Sequence, residues 1–389
     1  MKKIPVLVAI ILILLPLLLS CAPKTASPPT ALQTTPVPQP TATAVAPTAT
    51  APKPATPAVS DADAEWAKVL EAAKKEGKVT LYTFLFGAQH SKVTETAFHE
   101  KYPDIELEWV PLSTAVRVER IKTETRMGTY IADTSDGSAP FQANLKKEGL
   151  TQSLGTLPST KESPWPISPI RDKEGHIVSI ALSITSLWAN ATLVKPGEEP
   201  KSLKDLLDPK WKGKIILSEP ATSNTSSRIY AMYTSRNLAN DDYFMKLGPQ
   251  LKFVTGSVRD ITLALARGEA PVAWGSSGDG NRLVSEGAPV RPIDIEEGVL
   301  GSSTTMSMLK SAPHPNATRV FVNWLLSKEG QTTLAKMQSQ SSWRTDVPDF
   351  APPSAQIKWK TVHTASIEDE EAAERAFSSR KLVDMWGRK

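Results

Sequence analysis

The sequence predicts an α/β protein with two lobes that extended segments join. Segments with the period of a strand alternate with segments of helical spacing along most of the chain, an order typical of a sheet with helices on both faces. The part predicted to fold, Ala62–Lys389, is some 330 residues long, which is more than one core usually organises. A long stretch near the middle, His176–Asn190, has no charge after its first residue and supplies the connection between the lobes.

This central stretch alternates between two kinds of side chain, as a strand does. Its even positions include Val178, Ile180, Leu182, Ile184 and Trp188, and its odd positions include Ser179, Ala181, Ser183 and Thr185. A solvent-facing strand usually has longer polar side chains, so the small, hydroxyl-rich face indicates a confined polar space. We therefore predict a strand that crosses between the lobes beside a cleft. An ordinary sheet strand packed under a helix is the alternative.

The N-terminal segment predicts export and a lipid anchor. Met1–Ser20 has two lysines and then a short apolar run with prolines, which is typical of a secretory signal and unsuited to a spanning helix. Leu18–Cys21 resembles the bacterial lipobox, so we expect lipidation of Cys21 and an extracytoplasmic protein anchored to the cell membrane. Residues 21–61 hold ten of the 32 prolines and almost no large apolar side chain, which predicts a disordered tether.

Charge and cysteine content exclude several classes of partner and site. Loss of the two signal lysines lowers the formal charge from +4 to +2. Basic and acidic residues are interspersed, so we expect no nucleic-acid partner. Cys21 is the only cysteine, which leaves no intrachain disulfide and no support for a thiol site. We expect a monomer without a cofactor or a bound metal.

Lobe 1 is predicted to comprise residues 62–180 and 300–389. Its first elements are a helix at Ala64–Lys75, a strand at Lys78–Thr83, a helix ending near Lys101, a strand at Ile105–Pro111, a helix at Arg117–Arg126, a turn-rich loop at Asp133–Ser138 and a short helix ending at Gly149. Amphipathic spacing predicts helices at Thr318–Ser327 and Glu329–Gln338. The tail after Val347 is polar, and we expect it to wrap this lobe.

Lobe 2 is predicted to comprise residues 181–299. Its elements are a helix at Ser202–Leu207, a strand at Lys212–Ser218, a helix at Arg228–Asn237, a helix at Val258–Arg267, a strand at Ala270–Trp274 with a Ser/Gly loop at Gly275–Gly280, and a strand at Val290–Ile295. A return strand at Ser302–Leu309 leads back to lobe 1.

Candidate ligand-binding residues lie in the loops at the predicted strand ends, where α/β sheets bind ligands. They are Thr83, His90, Ser135, Ser138, Thr185, Thr222, Ser223, Thr225, Arg259, Ser276, Ser277 and Arg344. Hydroxyls, helix N-termini and one or two guanidiniums suit a carboxylate, phosphonate or phosphate group. Trp188, Trp274 and Trp343 are candidates for a flat apolar wall. The alternatives are helix capping by the hydroxyls, surface salt bridges of the arginines and core packing of the tryptophans.

Several motifs in order resemble one known family. They are EWAKVLEAAKKEGKVTLYT, AFHEKYPDIELEWV, ERIKTETRMGTYIADT, LLDPKWKGKIILSEP, ALARGEAPVAW and FVNWLLSKEGQTTLAK. Together they span most of Glu65–Val347, and they resemble the family 1 extracellular solute-binding proteins of ABC transporters, in particular the branch related to ferric-ion-binding proteins. The resemblance implies a type 2 periplasmic-binding fold whose two α/β lobes, joined by crossing hinge strands, close on a small ligand and deliver it to a membrane permease.

The resemblance does not extend to the ligands of iron. Iron-binding members have two adjacent tyrosines after the strand that matches Ala270–Trp274, whereas this chain has Gly275 and Ser276 there. Ferric ion needs several anionic oxygen donors at one point, and the chain has no adjacent tyrosine pair. We therefore expect a small polar solute, anionic and organic, with a ferric ion or iron chelate as the alternative.

An extracytoplasmic hydrolase and a surface adhesin are the alternatives from other functional classes. Gly275–Asp279 does not match G-x-S-x-G, because aspartate stands at the last position, and the chain has no HExxH motif. No nucleophile, base and orienting group can be assembled from the sequence, and an adhesin does not need a cleft of small hydroxyls. We therefore expect a binding protein that is not an enzyme.

Overall fold

The computed structural model describes residues 61–83, 85–86, 88–160, 172–223, 225–254, 258–356 and 362–387. These residues lie within one unit, Val59–Lys389. The predicted signal segment, Cys21 and nearly all of the predicted tether lie outside the described residues. Among the described helices, none has both the length and the hydropathy to cross a membrane.

A mixed sheet of eleven described strands organises the fold. The strands are β1 Lys78–Thr83, β2 Glu106–Pro111, β3 Thr134–Gly137, β4 Thr151–Gln152, β5 Val178–Asn190, β6 Ile215–Ser218, β7 Leu251–Val254, β8 Val272–Ser276, β9 Val290–Ile293, β10 Val299–Leu309 and β11 Val362–Thr364. Their main order is β2-β1-β3-β10-β5-β8-β6-β7, while β4 and β11 pair with β10 and β9 pairs with β5. The antiparallel pair β5 and β10 therefore lies between two parallel groups of strands.

Helices flank both parallel groups. They are α1 Asp61–Glu76, α2 Ala88–Lys101, α3 Thr114–Met127, α4 Ala139–Lys147, α5 Thr225–Ser235, α6 Asp241–Leu247, α7 Val258–Ala266, α8 Ser277–Ser285, α9 Pro315–Leu326, α10 Lys328–Met337, α11 Ile367–Ser378 and α12 Lys381–Met385. We call β1 to β4 with α1 to α4, α9 and α10 the first half, and β6 to β9 with α5 to α8 the second half.

Strand β5 contributes to the cores of both halves. Val178 and Ile180 pack in the first-half core, where the Phe98 ring meets the edge of Phe321 at a centroid distance of 5.3 Å. Leu187 packs in the main second-half core. The strand is thus shared by both hydrophobic cores, which confirms the crossing strand. The fold class, an α/β fold with crossing strands, is likewise confirmed.

Two predicted loops are ordered elements in the structure. Residues 134–137, predicted as part of a turn-rich loop, form β3, which pairs with β1 on one side and β10 on the other. Residues from Ser277 onward, predicted as a Ser/Gly loop, form α8, and Ser276 caps this helix by accepting a hydrogen bond from the Asp279 N–H. Position 280 in α8 needs glycine because the helix lies against Trp188. An added Cβ there would be only 2.4 Å from the Trp188 ring.

The C-terminal tail packs differently from the expectation that it wraps lobe 1. Strand β11 pairs with β10 at Val299–Gly301. Helix α11 lies against α5 and also contacts α4, while Leu382 of α12 joins the second-half core. The Trp386 indole donates to the Phe244 carbonyl at 2.7 Å. The tail has its own apolar and polar anchors on α5 and α6, which weak patterning in the sequence did not reveal.

Candidate functional site

The candidate site begins where two pairs of parallel strands, β1 with β3 and β6 with β8, end beside β5 and β10. Strands β1, β3, β6 and β8 lead into α2, α4, α5 and α8 respectively. Thr185 of β5 is paired with Ser276 at the end of β8, and Thr305 of β10 is paired with Gly137 at the end of β3. The strand ends of both halves therefore meet the crossing strands. The helices that follow point their free N–H groups towards these ends, as in other α/β binding sites.

A buried network around Asp136 holds the strand ends of the first half. The Asp136 carboxylate accepts hydrogen bonds from the Thr83 hydroxyl, from the Leu85 N–H at 3.2 Å and from Arg117 Nη1 at 2.9 Å. Arg117 also donates to the Asp136 carbonyl. Burial lowers the pKa of the Arg117 guanidinium, and the negative charge of Asp136 opposes that shift. The network fixes the start of the loop from β1 to α2.

Ser135 and Ser138 have different roles although they lie close in sequence. The Ser135 hydroxyl is fully buried and donates to the Tyr82 carbonyl at 3.0 Å. Ser138 is exposed and precedes α4 in an extended conformation, without a side-chain capping bond. The half-buried His90 ring lies with Nδ1 3.5 Å from the Leu85 carbonyl. Ser138 is thus the more accessible of the two serines.

Small hydroxyls also surround the start of α5 in the second half. Ser226 Oγ donates to the Ser218 carbonyl at 2.8 Å and lies 3.1 Å from Ser218 Oγ, which fastens the helix to the end of β6. Ser223 Oγ donates to Thr225 Oγ1 at 3.2 Å. Thr222 is exposed. Thr222 and Ser223 therefore form the accessible rim, whereas Ser226 and Thr225 are buried.

The start of α8 is fastened to the crossing strand. Ser277 is 3% exposed, and its Oγ lies 3.1 Å from Ser186 Oγ of β5. Burial raises the pKa of Asp279 in the first turn, and the positive charges of Arg259 and Arg282 act against the rise. Arg259 is exposed at the start of α7. One exposed guanidinium thus lies near the N-terminus of α8.

The small face of β5 is mostly covered. Ser179 and Ala181 are buried, Thr185 is 9% exposed, and Ser183 is exposed. Ser302 of β10 donates to the Ser183 carbonyl at 3.4 Å. The predicted polar surface on the crossing strands is therefore limited to the neighbourhood of Ser183.

The three tryptophans proposed as a wall are buried in cores. Trp188 and Trp274 are 0% and 1% exposed, and Trp343, also 1% exposed, packs with Leu182 and Ile184. Large flat rings fill the space beneath the crossing strands, so the wall prediction is wrong. In the part of the chain that the structure describes, no group of three or more His, Cys, Asp or Glu side chains is arranged for a metal ion.

A comparison with protein families identifies the chain. The profile of the family described as "Bacterial extracellular solute-binding protein" matches residues 135–365, more than half of the sequence. The chain belongs to this family. It is a solute-binding protein of an ABC transporter, and the family resemblance predicted from the motifs is confirmed.

Proteins of similar fold have been solved with different molecules bound. One is the periplasmic binding protein AfuA from Actinobacillus pleuropneumoniae with exogenous fructose-6-phosphate bound, at 23% identity, TM-score 0.61 and coverage of 80% of this chain and 99% of that chain. Another is IdiA (FutA) from Trichodesmium in complex with iron and citrate, at 18% identity, TM-score 0.66 and coverage of 80% and 100%. Iron-bound HitA from Pseudomonas aeruginosa has 22% identity, TM-score 0.64 and coverage of 78% and 99%. At these identities the likeness shows the two-lobe fold alone.

A curated relative in Haemophilus influenzae (strain ATCC 51907 / DSM 11121 / KW20 / Rd) is described as an uncharacterized protein. It is 28% identical over 248 residues, which are 62% of this chain and 70% of the relative. It adds no information on the solute.

Most of the predicted site residues of this solute-binding protein lie at the strand ends. Arg344 does not. Arg344 Nε and Nη2 donate to the two carboxylate oxygens of Asp346 at 2.9 Å each, and Nη1 donates to the Leu326 carbonyl at 3.3 Å. The side chain is buried in the loop after α10. It holds that loop together through a salt bridge, which is buried and not at the surface as the alternative had it.

Three residues of the site were not among the predicted ones. They are Arg117 of α3, Asp136 of β3 and Ser186 of β5. Arg117 and Asp136 are 19 residues apart in the sequence, and nothing around Ser186 distinguishes it from other strand residues. No local pattern showed that Asp136 is buried, because Thr-Ser-Asp-Gly is typical of an exposed turn. Nothing in the sequence indicated that the partner is Arg117.

Proposed function

We propose that this solute-binding protein captures a small anionic organic solute at the strand ends beside β5 and β10. The observation that supports the proposal best is the chemistry of these ends. Accessible hydroxyls of Ser138, Thr222 and Ser223 lie beside the starts of α4 and α5, and Arg259 lies near the start of α8. Helix N-termini and a guanidinium favour an oxyanion, and neutral hydroxyls complete its hydrogen bonds.

The proposed ligand-binding residues are those at the strand ends. Thr83, His90, Ser135, Thr185, Thr225, Ser276 and Ser277 position the loops or line them, and Ser138, Thr222, Ser223 and Arg259 are the contacts to the solute. Among the similar folds, AfuA has fructose-6-phosphate bound and IdiA is in complex with iron and citrate. Phosphate and carboxylate groups are the oxyanions that such a site would bind.

We further propose that the protein acts outside the cytoplasm as a monomer, that Cys21 anchors it to the membrane by a lipid and that residues 21–61 are the tether. The two lobes would comprise residues 62–180 with 300–389, and 181–299, except that α12 at the end of the tail packs in the second-half core. The family and the similar folds are binding proteins, which supports a protein without catalytic activity.

The test combines native mass spectrometry with calorimetry. Mass spectrometry of freshly purified protein looks for a co-purified molecule, and calorimetry then compares phosphate monoesters, phosphonates and dicarboxylates with neutral sugars and ferric citrate. We expect heat from one of the anionic organic solutes and a loss of affinity of about tenfold or more in Arg259→Ala, since a charge-assisted hydrogen bond contributes about 1.5–3 kcal/mol.

A matched control separates binding from general effects of mutation. Arg267→Ala removes an arginine just after the end of α7 that is paired with Glu269 at the surface, and its affinity should equal that of the wild type. Binding of a neutral sugar or of ferric ion alone would refute the anionic assignment. Turnover of a model ester that Ser276→Ala abolishes would instead support the hydrolase.

A further inference from the structure

The strand ends of the two halves point towards each other across the middle of the β5 and β10 pair. Strand β8 ends where it pairs with Thr185 of β5, and β3 ends where it pairs with Thr305 of β10. Because β8 is antiparallel to β5 and β3 is antiparallel to β10, the two ends approach the middle of the pair from opposite directions. Ser183 and Ser302, which pair directly with each other, lie at this middle.

The two faces of the crossing strands differ at this point. On one face Leu182 packs with Trp343, so that face is closed. On the other face Ser183 is exposed, and Ser302 and Thr304 are half-buried. Ser302 is paired with Ser183, and Thr304 is two residues further along β10, so the three side chains share one face. We call Ser183, Ser302 and Thr304 the hydroxyl floor.

Thr185 directs a buried hydroxyl to the same space. It is two residues from Ser183 on β5 and therefore lies on the same face. The residue is only 9% exposed, and its hydroxyl has no hydrogen-bond partner within the part of the chain that the structure describes. Since buried hydroxyls are normally hydrogen-bonded, the partner of Thr185 has to come from the molecule that occupies the space above the hydroxyl floor.

The hydroxyl floor favours one kind of chemical group. Neither β5 nor β10 has a charged side chain, so the floor does not attract a second charge. Each of its hydroxyls can both donate and accept, and the group with the same capacity is another hydroxyl. An alkyl chain would cover these side chains without bonding to them, which weakens binding because the covered hydroxyls lose their water.

We propose that the hydroxyl floor and Thr185 bind the hydroxyl groups of a polyhydroxylated organic anion. Thr304 lies opposite Ala181, four residues from Thr185 (185 − 181) along β5, a length of about 13 Å. Several hydroxyls of one small molecule can be bound along this length. The inference rests on the proposed binding of an oxyanion at the strand ends, and it specifies the part of the solute that lies between them.

The test compares anions that differ only in their hydroxyl groups. Calorimetry of the full folded protein is performed with glycerol phosphate and propyl phosphate, with gluconate and hexanoate, and with neutral sorbitol. In at least one pair the hydroxylated anion should bind about tenfold or more tightly than its alkyl counterpart.

The outcomes separate this inference from the proposed function. Equal affinity within each pair would overturn the role of the hydroxyl floor and leave the anionic solute in place. Sorbitol that binds as tightly as gluconate would refute the anionic solute, yet support recognition of hydroxyls. Absence of binding by every compound would overturn the inference as well.

Variants locate the recognition of hydroxyls. Ser183→Ala and Thr304→Val should each weaken binding of the hydroxylated anion by about three- to tenfold and leave the affinity for the alkyl anion unchanged. Ser303→Ala is the matched control, because the Ser303 hydroxyl is buried on the opposite face of β10 and has no partner among the described residues. This variant should bind both anions as the wild type does. An equal loss for both anions in Ser183→Ala and Thr304→Val, or no loss in either variant, would overturn the proposal.

Discussion

The losses of stability on removing Arg117 and Asp136 should not add, because each of these buried charges compensates the other. Their side chains are 1% and 0% exposed, and Nη1 lies 2.9 Å from Oδ1. Asp136→Asn leaves the guanidinium buried without its counter-charge, which typically destabilises by about 3–5 kcal/mol. Arg117→Met should cost about 3 kcal/mol, because Thr83 and Leu85 still donate to the carboxylate. The double variant has no buried charge to compensate, so its loss should be about 2–3 kcal/mol smaller than the sum of the single losses.

Urea denaturation of the wild type, both single variants and the double variant measures this coupling. An exposed pair on α6, Asp242 and Lys246, with both side chains 61% exposed, is the control and should couple by no more than about 0.5 kcal/mol. Losses at Arg117 and Asp136 that add to within about 0.5 kcal/mol would refute the view that the two charges depend on each other. Additive losses would also remove the reason for treating this network as the support of the loop from β1 to α2.

Three further changes test the packing of α8 and of the tail. Gly280→Ala should lower the urea midpoint. Overpacking against Trp188 costs about 1–3 kcal/mol, which outweighs the gain of about 1 kcal/mol from the higher helix propensity of alanine. A raised midpoint would contradict the close contact of position 280 with Trp188. Burial raises the pKa of Asp369, but hydrogen bonds, chiefly from Arg236, bring it below the ordinary value of 3.8. Its stabilising effect should therefore be complete at neutral pH and be lost as the pH falls below 3.8. Hydrogen exchange of the tail should show this acid dependence in the wild type and a weaker one in Asp369→Asn. Trp386→Phe removes the indole bond to α6 and should increase cleavage of the tail by protease, without a change in solute affinity.

Local sequence patterns predicted the elements whose own residues determine their conformation. The alternation in His176–Asn190 predicted β5, and Gly128, with a φ of 65°, ends α3 as a left-handed residue, a role for which glycine is suited. The pattern failed at 134–137, because Thr-Ser-Asp-Gly is typical of turns, yet strands on both sides pair with it. Tertiary pairing there overrides local propensity.

The site could be predicted only in outline for the same reason. Ends of parallel strands and their serines can be recognised along the chain. Whether a hydroxyl bonds within the protein or faces outward depends on neighbours that are distant in the sequence. Ser186 and Ser277, whose hydroxyls are in contact, are 91 residues apart. The roles of Arg344 and the tryptophans depend likewise on packing, and a single sequence does not reveal it.

The hydroxyls at the strand ends fall into two groups with different consequences for the solute. Thr83, Ser135 and Ser226 donate to groups of the protein itself, so their function is to hold the loops in place. Ser138, which makes no capping bond, and Thr222, whose hydroxyl makes only a long bond of 3.4 Å to the Glu219 carbonyl, are exposed on the loops that these bonds position. An alanine in the first group should therefore alter stability and geometry together, whereas an alanine in the second should alter affinity alone.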